Sequence, residues 1–187
     1  MRGLFVIMAA MLAGGLLAGG CSVIGCTENQ NSLPLAGFYS SATGEAISVD
    51  SLAIGGVDAP DDSLLARPSQ RLSQVYLPLR STQTQTIFYI RYMQKALAEL
   101  DAEDVIVFDY TSTPFFASED CGAMYAYHIT SLQYTRNLID SVAVTVADST
   151  ITNVEQEYLR IYFRTSQPDD SVPVDTRARV ITIPAHV

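Results

Sequence analysis

The sequence predicts an all-β protein: an antiparallel, immunoglobulin-like β-sandwich of about seven to nine strands, with a small β-barrel as the rival architecture. Three observations lead there. Short apolar stretches alternate with period two along the chain, as half-buried strands do. Turn residues recur at roughly ten-residue spacing. The composition is rich in Thr, Val and Tyr (10), with no Trp and a single lysine, Lys95. Branched and aromatic side chains suit a pleated surface. At 187 residues and 48 % hydrophobic content, the chain has room for one domain with a real core, and wholesale disorder is excluded.

The strands follow in order. "AGFYS" (36–40) is a short first candidate. "AISVDSLAI" (46–54) switches parity at Asp50-Ser51, which marks a bend or bulge. In "VYLPL" (75–79), Val75, Leu77 and Leu79 align, and Pro78 lacks a donor, so an edge strand is expected. "IFYIRY" (87–92) places Phe88, Ile90 and Tyr92 inward. "MQKALAEL" (93–100) consists of good helix formers but is too short to persist alone, so it reads as a turn or short helix between strands. "VIVFDY" (105–110) starts apolar on both faces and should be central. "YAYHITSLQY" (125–134) changes parity near Ser131, which suggests a bulge. "VAVTV" (142–146) and "YLRIYFR" (158–164) alternate cleanly, the latter with Leu159, Ile161 and Phe163 on one face. The sandwich is thus expected over 35–165. Residues 166–187 are expected to form a polar, mobile tail, in which "RVITI" (179–183) offers one more strand.

The first twenty residues, "MRGLFVIMAAMLAGGLLAGG", have one positive charge, an apolar centre and small residues at the end. That is the anatomy of an export signal. A transmembrane helix is the competing reading, disfavoured by the glycines between 14 and 20 and by the lack of a following charge that could act as a cytoplasmic stop. Small residues followed by cysteine resemble the bacterial lipobox, and two sites fit, "AGGC" ending at Cys21 and "VIGC" ending at Cys26. The letters favour the second and position favours the first.

Cysteine parity separates them. The three cysteines are Cys21, Cys26 and Cys121. Lipidation of Cys21 leaves Cys26 and Cys121 as an even pair, whereas lipidation of Cys26 leaves Cys121 alone in an oxidising compartment. The expected scheme is therefore lipidation at Cys21, a lead-in segment over 21–34, and a Cys26–Cys121 disulfide. Such a bond would close a loop of about 95 residues, for which chain entropy gives at most about 4–5 kcal/mol.

Two stretches, "CTENQNSLPLAGFYS" (26–40) and "EDCGAMYAYHIT" (119–130) followed by "NLIDSV" (137–142), resemble uncharacterised lipoproteins of Bacteroidetes. The resemblance implies an exported lipoprotein with a small β-rich domain and no assigned activity. Surface-displayed lipoproteins of that group tend to carry acidic residues after the acylated cysteine. Here Ser22, Val23, Ile24 and Gly25 follow Cys21, so the periplasmic face of the outer membrane is expected rather than the cell surface.

Eleven basic residues stand against 20 acidic ones. Loss of Arg2 with the signal leaves 10 − 20 = −10. This charge disfavours nucleic acid and anionic lipid as electrostatic partners, so attachment to a membrane must be covalent. Neither His128 nor His186 belongs to a zinc-ligand pattern. A Cys121/His128 nucleophilic pair is expected to lose to oxidation of the cysteine. Asp58, Asp61 and Asp62, and again Asp101, Glu103 and Asp104, lack a complete calcium-ligand pattern and read as turn residues. "IGGV" (54–57) lacks the Lys and helix of a phosphate loop. No metal, cofactor or catalytic motif is therefore expected.

Five of 13 aspartates precede serine, at Ser51, Ser63, Ser141, Ser149 and Ser171. Asp-Ser makes turns, and each triplet also resembles the O-glycosylation acceptor of exported Bacteroidetes proteins. The functional expectation is an envelope binding or scaffolding module with a protein or glycan partner. The alternative is a glycan- or small-ligand-binding lipoprotein using Tyr89, Tyr125, Tyr127 and Tyr134, and an envelope hydrolase comes third. A tyrosine-lined groove would favour the ligand reading, and a flat exposed patch a protein partner.

Overall fold

A computed structural model describes residues 31–165 and 181–184. Its strands are β1 (Leu35–Ser40), β2 (Val49–Asp50), β3 (Leu52–Gly56), β4 (Leu64–Ala66), β5 (Arg71–Leu72), β6 (Gln74–Tyr76) and β7 (Gln85–Tyr92). A four-residue helix α1 (Lys95–Ala98) precedes β8 (Glu103–Ser118), β9 (Gly122–Tyr134), β10 (Ile139–Val144), β11 (Thr150–Ile151), β12 (Glu157–Phe163) and β13 (Ile181–Pro184). One sheet runs β10-β12-β1-β6; the larger runs β11-β9-β8-β7-β3-β4, with β13 also paired to β9. The chain is all-β, as its alternation predicts, and β-sandwich-like, with inward side chains of both sheets forming one core. Phe38 and Phe163 meet edge-to-face at 5.2 Å in the smaller sheet, and Phe88 and Phe108 do so at 5.9 Å in the larger.

Among the described strands antiparallel pairing dominates, with one departure: β1 runs parallel to β12, Phe38 opposite Ile161 and Ser40 opposite Phe163. Nearly the whole domain separates the two strands, so no hairpin constrains their direction. The parity switch in "AISVDSLAI" is a change of sheet. Ser51 adopts φ 58°, β2 pairs with β5 in a separate ribbon, and β3 joins β7. A Cβ on Gly55 in β3 would lie 2.4 Å from the Tyr89 hydroxyl, so a side chain there would displace that ring. β6 lies at the edge of its sheet and ends before Pro78. The parity change near Ser131 is a bulge: Asp109 faces Ser131 but Tyr110 faces Ile129, so Thr130 has no partner.

Tyr158, fully buried at the start of β12, directs its hydroxyl at the carbonyls of Thr152 and Val154. This contact back to the preceding loop is of the tyrosine-corner kind found in sandwiches. Among the described residues no helix is long and apolar enough to cross a membrane. The export segment, Cys21 and Cys26 lie outside the described residues, as do Ser171, His186 and most of the expected tail. Within that tail, β13 realises the strand expected in "RVITI".

Candidate binding groove

β8 and β9 outrun the rest of their sheet. The last rung between β7 and β8 is Gln85 opposite Asp109, whereas β8 and β9 stay paired out to Ser118 opposite Gly122. Gly122 takes φ 74°, a conformation the turn at the tip requires and other residues rarely adopt. The connection from β6 to β7 folds over the base of this overhang, leaving a groove of about 550 Å³. Leu33, Pro78, Thr82, Met124, Tyr125 and Tyr127 contribute to its walls.

Tyrosines fasten that connection in place. The Tyr110 hydroxyl donates to the Arg80 carbonyl (2.9 Å), accepts from the Arg80 amide (3.0 Å) and pairs with Thr86 Oγ1 (2.8 Å). Ser112 Oγ donates to the Ser81 carbonyl at 2.8 Å. Tyr127 packs edge-to-face on Tyr110 at 5.5 Å, and its hydroxyl faces the Leu79 carbonyl. Burial pushes the Tyr127 hydroxyl pKa up, so it stays neutral. Arg80 is the only charged residue among the described groove residues, and its guanidinium donates to the Asp58 carbonyl at 2.9 Å.

Of the four tyrosines considered from the sequence, the groove gathers only Tyr125 and Tyr127. Tyr125 is 44 % exposed and Tyr127 is buried. Tyr134 is part of the core, and Tyr89 is half-buried beneath Arg91, whose guanidinium carbon lies 4.4 Å from the ring centre. A second cavity, of about 540 Å³, lies by α1 and is lined by Arg91, Met93, Asp101 and Glu103 among others. Its principal charges are already paired, Arg91 Nε with Glu103 Oε2 at 2.6 Å. The groove thus offers apolar walls and one exposed ring, a surface suited to holding a partner.

Among the Asp-Ser positions, Ser63 is exposed, Ser51 and Ser141 are half-buried, and Ser149 is 5 % exposed. Ser51 and Ser149 take positive φ, in keeping with turns, while Ser141 lies within β10 rather than in a turn. The exposed-turn requirement of a glycan acceptor is met by Ser63 alone among the described positions. Cys121 sits in the β8–β9 turn and is not a free thiol; its expected partner lies outside the described residues. His128 lies seven residues along the extended strand, about 23 Å away, so the two do not form a nucleophile–base pair. The imidazole instead faces Thr150 Oγ1 at 3.3 Å.

The sequence missed Asp104. Grouped by spacing with Asp101 and Glu103, it is fully buried, whereas Asp101 is an exposed turn residue at φ 48°. Oδ1 of Asp104 accepts from Thr135 Oγ1 and the Asn137 amide, and Oδ2 from the Tyr92 hydroxyl and the Leu138 and Ile139 amides. Those donors fix the connection from β9 to β10 against β8. Among the described residues no three His, Cys, Asp or Glu side chains converge to hold a metal ion.

Fold and groove together define a small all-β sandwich with a tyrosine-walled surface groove beside a projecting hairpin. The chain belongs to a family of unknown function, DUF6452, which matches residues 51–163. The match runs from before β3 to the end of β12 and includes Cys121 and the hairpin, but neither β1 nor the stretch 26–40. No curated protein and no solved structure matches the chain.

Proposed function

We propose that this protein is a lipid-anchored, non-catalytic binding or scaffolding module of the bacterial cell envelope, with the groove as its partner site. Acylation is at Cys21, Cys26 pairs with Cys121, and the protein is a Bacteroidetes lipoprotein held at the periplasmic face of the outer membrane. The observation that carries the binding role is the groove of about 550 Å³ with Tyr125 exposed on its wall. Its size falls in the range of ligand clefts. A tyrosine-walled cleft also favours the second reading, a glycan or small ligand stacked on Tyr125. Ser63 is the Asp-Ser position best placed for O-glycosylation.

A photoreactive phenylalanine analogue at Thr82, an exposed groove position, tests the partner site in intact envelopes. The expected result is a discrete adduct at Thr82 that is absent when the analogue replaces Leu100 and is lost on Tyr125→Ala. Adducts formed equally at Leu100, or none at Thr82, would contradict the proposal.

A further inference from the structure

We propose that the tip of the β8–β9 hairpin is a membrane-contact element, with Phe116 lodged in the interfacial layer of a phospholipid bilayer. This rests on the Cys21 anchor proposed above and names the part of the domain that the anchor brings to the lipid. From Thr113 opposite Ala126 outward, the hairpin has no rung with β7 or with β11, which pairs with β9 only as far as Ile151 opposite Tyr127. Those six residues of β8 span about 20 Å. A two-stranded ribbon is marginal in water unless a third partner covers it.

The side chains carry the argument. Cross-strand pairing of Pro114 with Tyr125, and of Phe116 with Ala123, continues the alternation that begins at buried Tyr110 and Ile129. The inward apolar stripe of the sheet therefore runs on past the body of the domain. At its end Phe116 is 68 % exposed, more than any other large apolar residue described.

The same end receives the lead-in chain. Asn31 and Leu33 line the groove together with Ala123 and Tyr125. Ten residues separate Asn31 from Cys21, a reach of at most about 36 Å. A Cys26–Cys121 bond would shorten the path from lipid to hairpin turn to five residues, at most about 18 Å. Tyrosine and phenylalanine are stabilised at the membrane–water boundary. Glu119 and Asp120, exposed in the turn, set the depth, because carboxylates are costly in hydrocarbon. The tip therefore stays at headgroup level.

The absence of tryptophan makes the test direct. The full chain, processed in its own envelope, is reconstituted into vesicles of phosphatidylethanolamine with a minor fraction of phosphatidylglycerol. Phe116→Trp then supplies the sole tryptophan. Pro114→Trp, exposed on the same face, is a second reporter should the first disturb folding, and Leu100→Trp, at an exposed position by α1, is the control. The expected result is emission shifted to shorter wavelength, quenching by brominated lipid and loss of iodide quenching for Phe116→Trp, with the reverse for Leu100→Trp. Protein that floats with the vesicles while Phe116→Trp and Pro114→Trp remain open to iodide would overturn the hairpin proposal and leave the anchor standing. Protein that does not float would overturn the anchor, and the hairpin proposal with it.

Discussion

Asp104 accepts five hydrogen bonds from groups on β7, on the connection between β9 and β10 and at the start of β10, with no solvent contact. Asp104→Asn turns an amide NH2 toward buried donors and removes the charge that strengthens the remaining bonds. The expected loss is about 2–4 kcal/mol, read as a lower denaturant midpoint with an unchanged slope. Its partner Tyr92 predicts a pH dependence. Burial, then the neighbouring Asp104 carboxylate, raises the Tyr92 hydroxyl pKa well above its usual value near 10. The unfolded chain therefore releases this proton near pH 10 while the folded chain retains it. This contribution is fully present below pH 10 and is lost as pH rises toward the folded value. Tyr92→Phe should flatten that alkaline fall in melting temperature; an equally steep fall in the variant would remove Tyr92 as its cause.

At the scale of elements, the strands were legible because half-buried strands write their burial into alternation. Leu159, Ile161 and Phe163 are buried as their spacing predicts, and so are Phe88, Ile90 and Tyr92. The central position of β8, the short helix after β7 and the bulge opposite Asp109 follow from the same reading. Partnership was not legible: alternation sets which face is buried, not which strand lies alongside, so the parallel pairing of β1 with β12 left no local trace. The hairpin overhang was hidden for a related reason. The alternation read over 105–110 stops at Tyr110, whereas β8 runs on to Ser118, past the last β7 rung at Gln85, without a local mark. Asp104 was readable in principle, since it shares parity with Ile106, Phe108 and Tyr110 and so falls on the inner face. Spacing to Asp101 and Glu103 pointed the other way because acidic clusters usually mark turns. Tyr125 and Tyr127 show the limit for the groove: their ring chemistry was visible, but not the connection that Tyr110 fastens across them.

For the whole molecule, one end of the sandwich collects the lead-in chain, the groove, the projecting hairpin and Cys121. A domain fastened by Cys21 and by a Cys26–Cys121 bond would present that end to the membrane and hold the groove within a few residues of the lipid. Intact mass combined with a non-reducing peptide map of protein purified from its own envelope tests this directly. The account predicts a mature chain beginning at an acylated Cys21 and a single peptide pair joined through Cys26 and Cys121. A chain that retains Met1, or a free thiol at Cys26, would contradict it.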